Sequence, residues 1–217
     1  MEKIKEIYLL GVGYNTTVFI DLAEQCGYKV VGLYHYADDR TGEIDHGFLI
    51  LGSFSDLFNK DDLKGMNFLL TMGDNDERAD VAKKIRAKGG ITPVLVHPMA
   101  VVSRFAKLSD GVCVSTFSHI QADTCIGQDT IILSGVNISH NNIIGNSCFI
   151  GGGATIGAYT TVGNFVFVGQ GVLTISSKVK HIGAYALIGA GALVTKSIES
   201  HDVVAGRPAK SIKKNNV

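Results

Sequence analysis

The hydrophobic pattern of the chain is dominated by an aliphatic residue at every sixth position between residues 102 and 168. The members of this series are Val102, Leu108, Val114, Ile120, Ile126, Ile132, Ile138, Ile144, Ile150, Ile156, Val162 and Val168. A helix repeats about every 3.6 residues and a half-buried strand every second residue, so neither explains this spacing. One buried aliphatic in each short, fixed unit is typical of a parallel β-helix, in which every hexad forms a strand and a corner. The pattern therefore predicts a β-helix.

Two other positions of the hexad also repeat. The residue after the aliphatic is often glycine, which we expect to relieve strain where the corner needs a positive φ. The fifth position is small or a valine, and we expect it to face inward, as at Thr124, Thr130, Val136 and Cys148. The phase then slips by two and resumes at Ile182, which predicts a bulge or small loop from Thr174 to His181.

The first hundred residues lack this repeat and alternate between apolar runs and helical spacing. The predicted elements are strands at 7–10, 29–34, 67–72 and 91–96 and helices at 17–25 and 77–88. Such an opening suits the nucleotide-binding half of a doubly wound α/β sheet, that is, a Rossmann-like domain. Because Pro98 stops regular pairing, we place the boundary near residue 100. This gives a nucleotide-sugar-binding domain at 1–100 and a β-helix domain with a C-terminal cap at 101–217.

Two glycine turns follow predicted strands of the first domain. They are Gly11-Val12-Gly13 and Gly73-Asp74-Asn75. Turns at the carboxyl ends of parallel strands are where a ligand crevice forms in this fold. Thr16 stands where the third glycine of the dinucleotide fingerprint is expected, so a plain tight turn is about as good an interpretation as a phosphate site.

Charge and cysteine content narrow the class of protein. The chain has 20 basic and 20 acidic residues, so it offers no net field to attract nucleic acid or an anionic membrane. No apolar run is long enough for a membrane span, the first residues do not resemble a signal peptide, and the four cysteines form no C-x-x-C pair. These features favour a cytoplasmic protein. From Thr174 onward basic residues outnumber acidic ones, which fits a solvated tail or a surface for a phosphate-rich cofactor such as coenzyme A.

Several features together resemble one family. The Rossmann-like domain, His97-Pro98, the hexads, a histidine in Ile138-Ser139-His140 and the closing Gly206-x-Pro208-Ala209-Lys210 are similar to bacterial sugar acetyltransferases. These are the enzymes related to the NeuD-like sialic acid O-acetyltransferases and the nucleotide-4-aminosugar N-acetyltransferases. The resemblance implies a left-handed β-helix, acetyl-CoA as cosubstrate and no metal. It also implies a homotrimer with active sites between neighbouring β-helices.

The resemblance also assigns the chemistry. His140, at a non-core position of its hexad, is the expected general base, because a neutral imidazole can accept a proton near physiological pH. With three hexads per coil, Ala158 stacks on His140, and the backbone N–H at this position is implied to point at the thioester oxygen. Relatives usually follow the base with an acid, where this chain has Asn141, which cannot raise imidazole basicity as a carboxylate would. Many also carry a second histidine where this chain has Phe149.

The remaining site residues follow from the same resemblance. The expected coenzyme A contacts are Ala158, Gln170 and Ala190, with Arg207 and Lys210 near the phosphates. The expected substrate contacts are Gly11, Gly13, Tyr14, Asn15, His35, Tyr36, Gly73 and Asn75. Relatives often have glycine-histidine at positions 14 and 15 and two aspartates at positions 35 and 36, so the sugar contacts of this chain depart from the family pattern.

The expected function is N-acetylation, by acetyl-CoA, of the 4-amino group of a dTDP- or UDP-linked 4-amino-4,6-dideoxy sugar, with the sugar in the N-terminal crevice. This is a reaction of surface polysaccharide biosynthesis. The alternative is O-acetylation of sialic acid or a related sugar on the same scaffold. A zinc hydratase of the β-helix type is excluded, since it needs three histidines and the next one after His140 is His181. A non-catalytic scaffold or nucleotide sensor would be favoured by failure to bind acetyl-CoA.

Overall fold

A computed structural model describes residues 4–215, and the chain divides into two compact units between Leu95 and Val96. The first unit contains a five-stranded sheet in the order β3-β4-β2-β1-β5, parallel except for the β3–β4 pair. Its strands are β1 (Lys5–Leu10), β2 (Tyr28–His35), β3 (Ile44–Asp45), β4 (Phe48–Ser53) and β5 (Phe68–Leu70). Its helices are α1 (Thr16–Gln25), α2 (Phe54–Phe58) and α3 (Asn75–Ala87), with a 3₁₀ turn at Asp38–Arg40.

The predicted strands and helices before residue 90 are all present, with small shifts of their ends. The sequence analysis missed β3, β4 and α2; the two strands extend the sheet, and a capping box between Ser53 and Asp56 begins α2. The predicted strand at 91–96 is interrupted at residues 92–94. Ile91 makes only an isolated bridge to Asn67, and regular pairing resumes at β6 (Leu95–Val96), because Pro93 has no N–H to donate.

The second unit is a parallel β-helix with three faces, and its strands are two residues long until the last two. One face holds β7 (Val101–Val102), β10 (His119–Ile120), β13 (Asn137–Ile138), β16 (Thr155–Ile156), β19 (Leu173–Thr174) and β22 (Leu193–Val194). The next holds β8 (Lys107–Leu108), β11 (Cys125–Ile126), β14 (Ile143–Ile144), β17 (Thr161–Val162) and β20 (His181–Ile182). The third holds β6, β9 (Cys113–Val114), β12 (Ile131–Ile132), β15 (Phe149–Ile150), β18 (Phe167–Val168), β21 (Leu187–Ile188), β23 (Asp202–Ala205) and the antiparallel β24 (Lys210–Lys214).

The register between coils is eighteen residues, as three hexads require. Ile120 pairs with Ile138, and Ile138 pairs with Ile156. The aliphatic series is buried from Val114 onward, and the fifth positions, including Thr124 and Cys148, are buried as predicted. The core of this unit is therefore a set of stacked aliphatic columns.

The predicted role of the repeated glycines is wrong. Positive φ occurs three residues after the core aliphatic, at positions such as Asn141 (φ 57°) and Tyr159 (φ 62°). The glycine directly after the aliphatic is instead needed because the next coil is so close. A Cβ on Gly163 would lie 2.6 Å from the backbone nitrogen of Ala184, and one on Gly151 would lie 2.7 Å from that of Gln170.

The predicted bulge is confirmed. Val162 pairs with Ile182, so the register becomes twenty residues across this loop. Thr174 takes a core position at 2% exposure, and its hydroxyl accepts the N–H of Gly157 at 2.8 Å. Val179 points from the loop into the core, which keeps the column filled.

We expect Gly163→Ala to destabilise the protein by about 1–3 kcal/mol, because its Cβ would overlap the backbone of the next coil. The matched control is Gly171→Asn. Gly171 has a φ of 64° and open space around a Cβ, and an asparagine already adopts this conformation at position 141. Thermal denaturation should show a clear loss for the first variant and little change for the second; equal midpoints would contradict the close-approach explanation.

Candidate active site

His140 lies on an exposed corner of the β-helix, two residues after the core Ile138. Its Nδ1 is 2.8 Å from the Oδ1 of Asn141. In a neutral ring, an amide oxygen beside Nδ1 requires the ring proton on that nitrogen and leaves Nε2 as the acceptor. This is the tautomer that a general base needs.

Two neighbours fix the orientation of this ring. Asn141 has a φ of 57°, a left-handed conformation that asparagine tolerates well. Tyr159, which is eighteen residues after Asn141, makes a T-shaped contact with His140, with ring centroids 5.2 Å apart and planes at 89°. The sequence analysis missed Tyr159, although the eighteen-residue interval from Asn141 would have found it.

Ala158 lies on the next coil in the column of His140, as the register of β13 and β16 requires. Its N–H, expected to face the thioester oxygen, donates to the Oγ of Ser176 at 3.0 Å. The structure thus confirms the stacking but gives this N–H a partner within the chain. Ser176 lies in the bulge loop, was not singled out from the sequence, and is exposed.

The other expected coenzyme A contacts lie at a different corner. Gln170 and Ala190 follow β18 and β21 on successive coils, and the N–H of Gly191 donates to the carbonyl of Gln170 at 2.8 Å. The guanidinium of Arg207 donates to the carbonyl of Gly191 at 3.3 Å, so it belongs to the same corner. Lys210 is exposed on β24. Gln170, Ala190 and Arg207 are brought together at this corner, whereas His140 and Ala158 belong to the corner after β13 and β16.

Both glycine turns of the first unit line one cleft of about 210 Å³. Of the expected substrate contacts, the lining includes Gly11, Gly13, Tyr14, Asn15, Tyr36 and Gly73. His35 and Asn75 are not among the lining residues. His35 is buried and stacks on Tyr36 with centroids 4.0 Å apart, and the Oδ1 of Asn75 accepts from Arg78 at 2.7 Å. His35 thus contacts a lining residue of the cleft, Tyr36, and Asn75 contacts Arg78.

The first turn is closed by a threonine. The N–H of Gly13 donates to the Oγ1 of Thr16 at 2.7 Å, and Thr16 is buried. The residue that breaks the glycine fingerprint therefore fixes the turn through its hydroxyl. Gly11 has a φ of 97°, and a Cβ there would lie 2.9 Å from the Oγ1 of Thr71, so packing and backbone conformation both require glycine.

Gly13 and Gly73 differ from Gly11. A Cβ on either would meet nothing within 4 Å, and neither has a left-handed φ. Packing within the chain therefore explains neither glycine, and both line the cleft. Close approach of a ligand to the backbone is the remaining physical reason for glycine at such a place.

The cleft also has polar and supporting residues that the sequence did not reveal. Glu77, in the first turn of α3, is exposed and lines it. Arg78 is buried, and its guanidinium donates to the carbonyls of Met72 at 2.9 Å and Asp74 at 3.3 Å. It therefore holds the second glycine turn in place.

Among residues 4–215, no group of three or more histidine, cysteine, aspartate or glutamate side chains is placed to hold a metal ion. No helix in this range has the length and apolar composition needed to cross a membrane.

Comparison with known proteins gives structural relatives over the whole length. The acetyltransferase PerB from Caulobacter crescentus, in complex with CoA and GDP-perosamine, is 28% identical with a TM-score of 0.88 and covers 97% of this chain and 99% of its own. The acetyltransferase domain of PglB from Neisseria gonorrhoeae, in complex with acetyl coenzyme A, is 25% identical with a TM-score of 0.88 and covers 97% and 100%. The chain is similar throughout to bacterial sugar N-acetyltransferases. This confirms the resemblance stated from the sequence and agrees with an acetyltransferase that uses coenzyme A.

The sequence comparisons are narrower. Serine acetyltransferase 2 from Arabidopsis thaliana is 34% identical over 118 residues, which are 54% of this chain and 32% of that protein. The chain thus spans about a third of the length of this curated relative. No family model matches the chain.

We expect Asn141→Asp to move the acid limb of the pH–rate profile to higher pH. A carboxylate beside Nδ1 would stabilise the protonated imidazole, and only the neutral ring accepts a proton. The control is Asn146→Asp, because Asn146 is an exposed asparagine at another corner whose Oδ1 accepts from the N–H of Gln128. An unchanged profile in Asn141→Asp, or an equal shift in both variants, would show that residue 141 does not affect the protonation of the catalytic group.

Proposed function

We propose that the chain is an acetyl-CoA-dependent N-acetyltransferase that acts on the 4-amino group of a nucleotide-linked 4-amino-4,6-dideoxy sugar. The observation that carries this proposal is the exposed imidazole of His140, held by Asn141 with Nε2 free, in a chain similar throughout to sugar N-acetyltransferases. The catalytic group and the scaffold support the same chemistry.

His140 acts as the general base in this proposal. The sugar amine attacks the thioester carbonyl carbon, and its proton passes to Nε2 as the C–N bond forms. The C–S bond then breaks and the sulfur leaves as the thiol of coenzyme A, taking a proton back from the imidazole. Asn141 and Tyr159 keep Nε2 aimed at the amine while this happens.

The cosubstrate would be held at the corner formed by Gln170, Ala190 and Arg207, with Lys210 nearby on β24. Exposed cations suit the phosphates of coenzyme A. Because this corner is not the corner of His140, one copy of the β-helix offers the base and the cofactor contacts at different places. We therefore infer a homotrimer of left-handed β-helices, as the resemblance implies, in which neighbouring copies complete each site.

The nucleotide-linked sugar would bind in the cleft of the first unit. Gly13 and Gly73 allow a ligand to approach the backbone there. Tyr14 is fully exposed and Tyr36 is 66% exposed, and both line the cleft, so they offer aromatic faces for a base or a sugar ring. The sequence analysis favoured dTDP or UDP as the nucleotide, and the complexes of PerB with GDP-perosamine add GDP to the candidates.

A panel assay tests this function. The acceptors are dTDP-, UDP- and GDP-linked 4-amino sugars together with free sialic acid, each with acetyl-CoA. We expect N-acetylation of one or more of the nucleotide-linked amines. Acetylation of sialic acid alone would favour the O-acetyltransferase alternative, in which the same base would deprotonate a hydroxyl.

With the best acceptor of that panel, His140→Ala should lower kcat by roughly 10²–10⁴, which is the usual rate contribution of a positioned general base. Binding of acetyl-CoA, measured by calorimetry, should persist because its expected contacts other than Ala158 lie at another corner. The control is His181→Ala, since His181 is an exposed histidine on another face whose contact is Glu199 at 3.7 Å. Near-normal turnover of His140→Ala would show that a group other than His140 accepts the proton of the sugar amine.

Gly13→Val tests the cleft. The side chain has room, so we expect the protein to fold, while the branched group would block approach to the turn. The KM for the nucleotide sugar should rise, with the KM for acetyl-CoA nearly unchanged, and Gly13→Ala should have a smaller effect in the same direction. An equal rise in both KM values would contradict the assignment of the sugar to this cleft.

A further inference from the structure

The regular coils satisfy their backbone N–H groups in a fixed way. The residue directly after the core aliphatic donates to the carbonyl of the aliphatic on the next coil, as Gly145 does to Val162 at 2.9 Å. The backbone N–H of the following residue does not donate to a backbone carbonyl in this way. At one corner it donates to an asparagine side chain on the next coil: the N–H of Gln128 donates to Oδ1 of Asn146, and the N–H of Asn146 donates to Oδ1 of Asn164, both at 2.8 Å. A side chain eighteen residues further on thus caps the corner.

The corner of His140 departs from this rule at the bulge. The N–H of Gly157 donates to the Thr174 hydroxyl in place of a backbone carbonyl, and the N–H of Ala158 donates to the Ser176 hydroxyl. Two consecutive backbone donors are therefore held by hydroxyls. Ser176 stands in the column of Ala158 and His140, on the far side of Ala158 from the base.

The donor capacity of Ser176 follows from this contact. A hydroxyl that accepts one hydrogen bond still has its own hydrogen to donate. The N–H of Ala158 fixes the position of Oγ and polarises the O–H bond, because hydrogen bonds in a chain strengthen one another. Ser176 is exposed, so this hydrogen can reach a bound molecule, whereas the N–H of Ala158 is already directed at Oγ.

We propose that the Ser176 hydroxyl, held by the N–H of Ala158, is the hydrogen-bond donor to the thioester oxygen in the acetyl transfer. This assignment rests on the proposed function. As the amine nitrogen bonds to the carbonyl carbon, the C=O electron pair moves to oxygen, which accepts the Ser176 hydrogen bond. The pair returns as the C–S bond breaks and the sulfur leaves, while the amine proton is on His140. Ala158 is then a positioning residue that acts through Ser176.

The test compares Ser176→Ala with Asn164→Ala in the full-length protein. Asn164→Ala removes the corresponding cap at another corner, so the two variants should lose similar stability. Ser176→Ala alone should lower kcat by roughly 10²–10³, the usual effect of removing one oxyanion donor, with little change in the dissociation constant of acetyl-CoA. Ser176→Thr keeps a hydroxyl and should restore turnover to within about tenfold.

Ser176→Cys keeps the size of the side chain but donates weakly, so its kcat should also fall even if the alanine variant proves unstable. A kcat for Ser176→Ala equal to or above the wild-type value would overturn the assignment and return the donor role to the freed N–H of Ala158. Loss of turnover in Asn164→Ala to the same extent would also overturn it, because capping alone would then explain the result. A wild-type protein that acetylates no acceptor of the panel would instead refute the proposed function, and this assignment with it.

Discussion

The close stacking of one coil on the next is the constraint on which the β-helix and its candidate site depend. Parallel ladders join residues eighteen apart, and the glycines after the core aliphatics let the backbones approach to distances that no Cβ would allow. The interior is filled by aliphatic columns, so the fold needs no helix or long strand. Every exposed residue thereby acquires a fixed neighbour one coil away. A catalytic arrangement can be built by choosing the residues of one column.

The column of His140 illustrates this use of the repeat. Asn141 and Tyr159 stand in the neighbouring column, and both adopt the left-handed conformation found at most corners. The corner conformation brings the amide oxygen to Nδ1 and the phenol ring to the edge of the imidazole. The orientation of the His140 ring is therefore a product of the same geometry that turns the coil.

The sequence predicted the parts of the structure that depend on periodicity. The period of six identified the buried columns, and multiplication by three placed Ala158 beside His140. It did not identify the strained position of the corner, because Asn141, Tyr159 and several other residue types occupy it, and no single type marks it. Glycine looked like that marker, but its place was set by contact between coils. Ser176 was missed because it lies in the bulge, beyond the unbroken series of hexads, although the eighteen-residue interval from Ala158 leads to it.

Glycines in the first unit show how structure separates two causes that look alike in sequence. Gly11 is required by a left-handed φ and by Thr71, whereas Gly13 and Gly73 meet neither requirement. Only the latter pair supports a ligand site, and this distinction needs coordinates.

The replacement of an acid by Asn141 bears on the energetics of the proposed transfer. An amide oxygen fixes the tautomer of His140 as a carboxylate would, but it brings no negative charge to stabilise the imidazolium that forms when the base accepts a proton. The proton transfer is then less favourable than beside a carboxylate. Compensation must come from the other end of the reacting group, where negative charge develops on oxygen. A hydroxyl donor fixed by a backbone N–H supplies stabilisation at that end without reorganisation. Under the proposed mechanism Asn141 and Ser176 are linked: no carboxylate stands beside Nδ1 of His140, and the Ser176 hydroxyl stabilises the oxyanion.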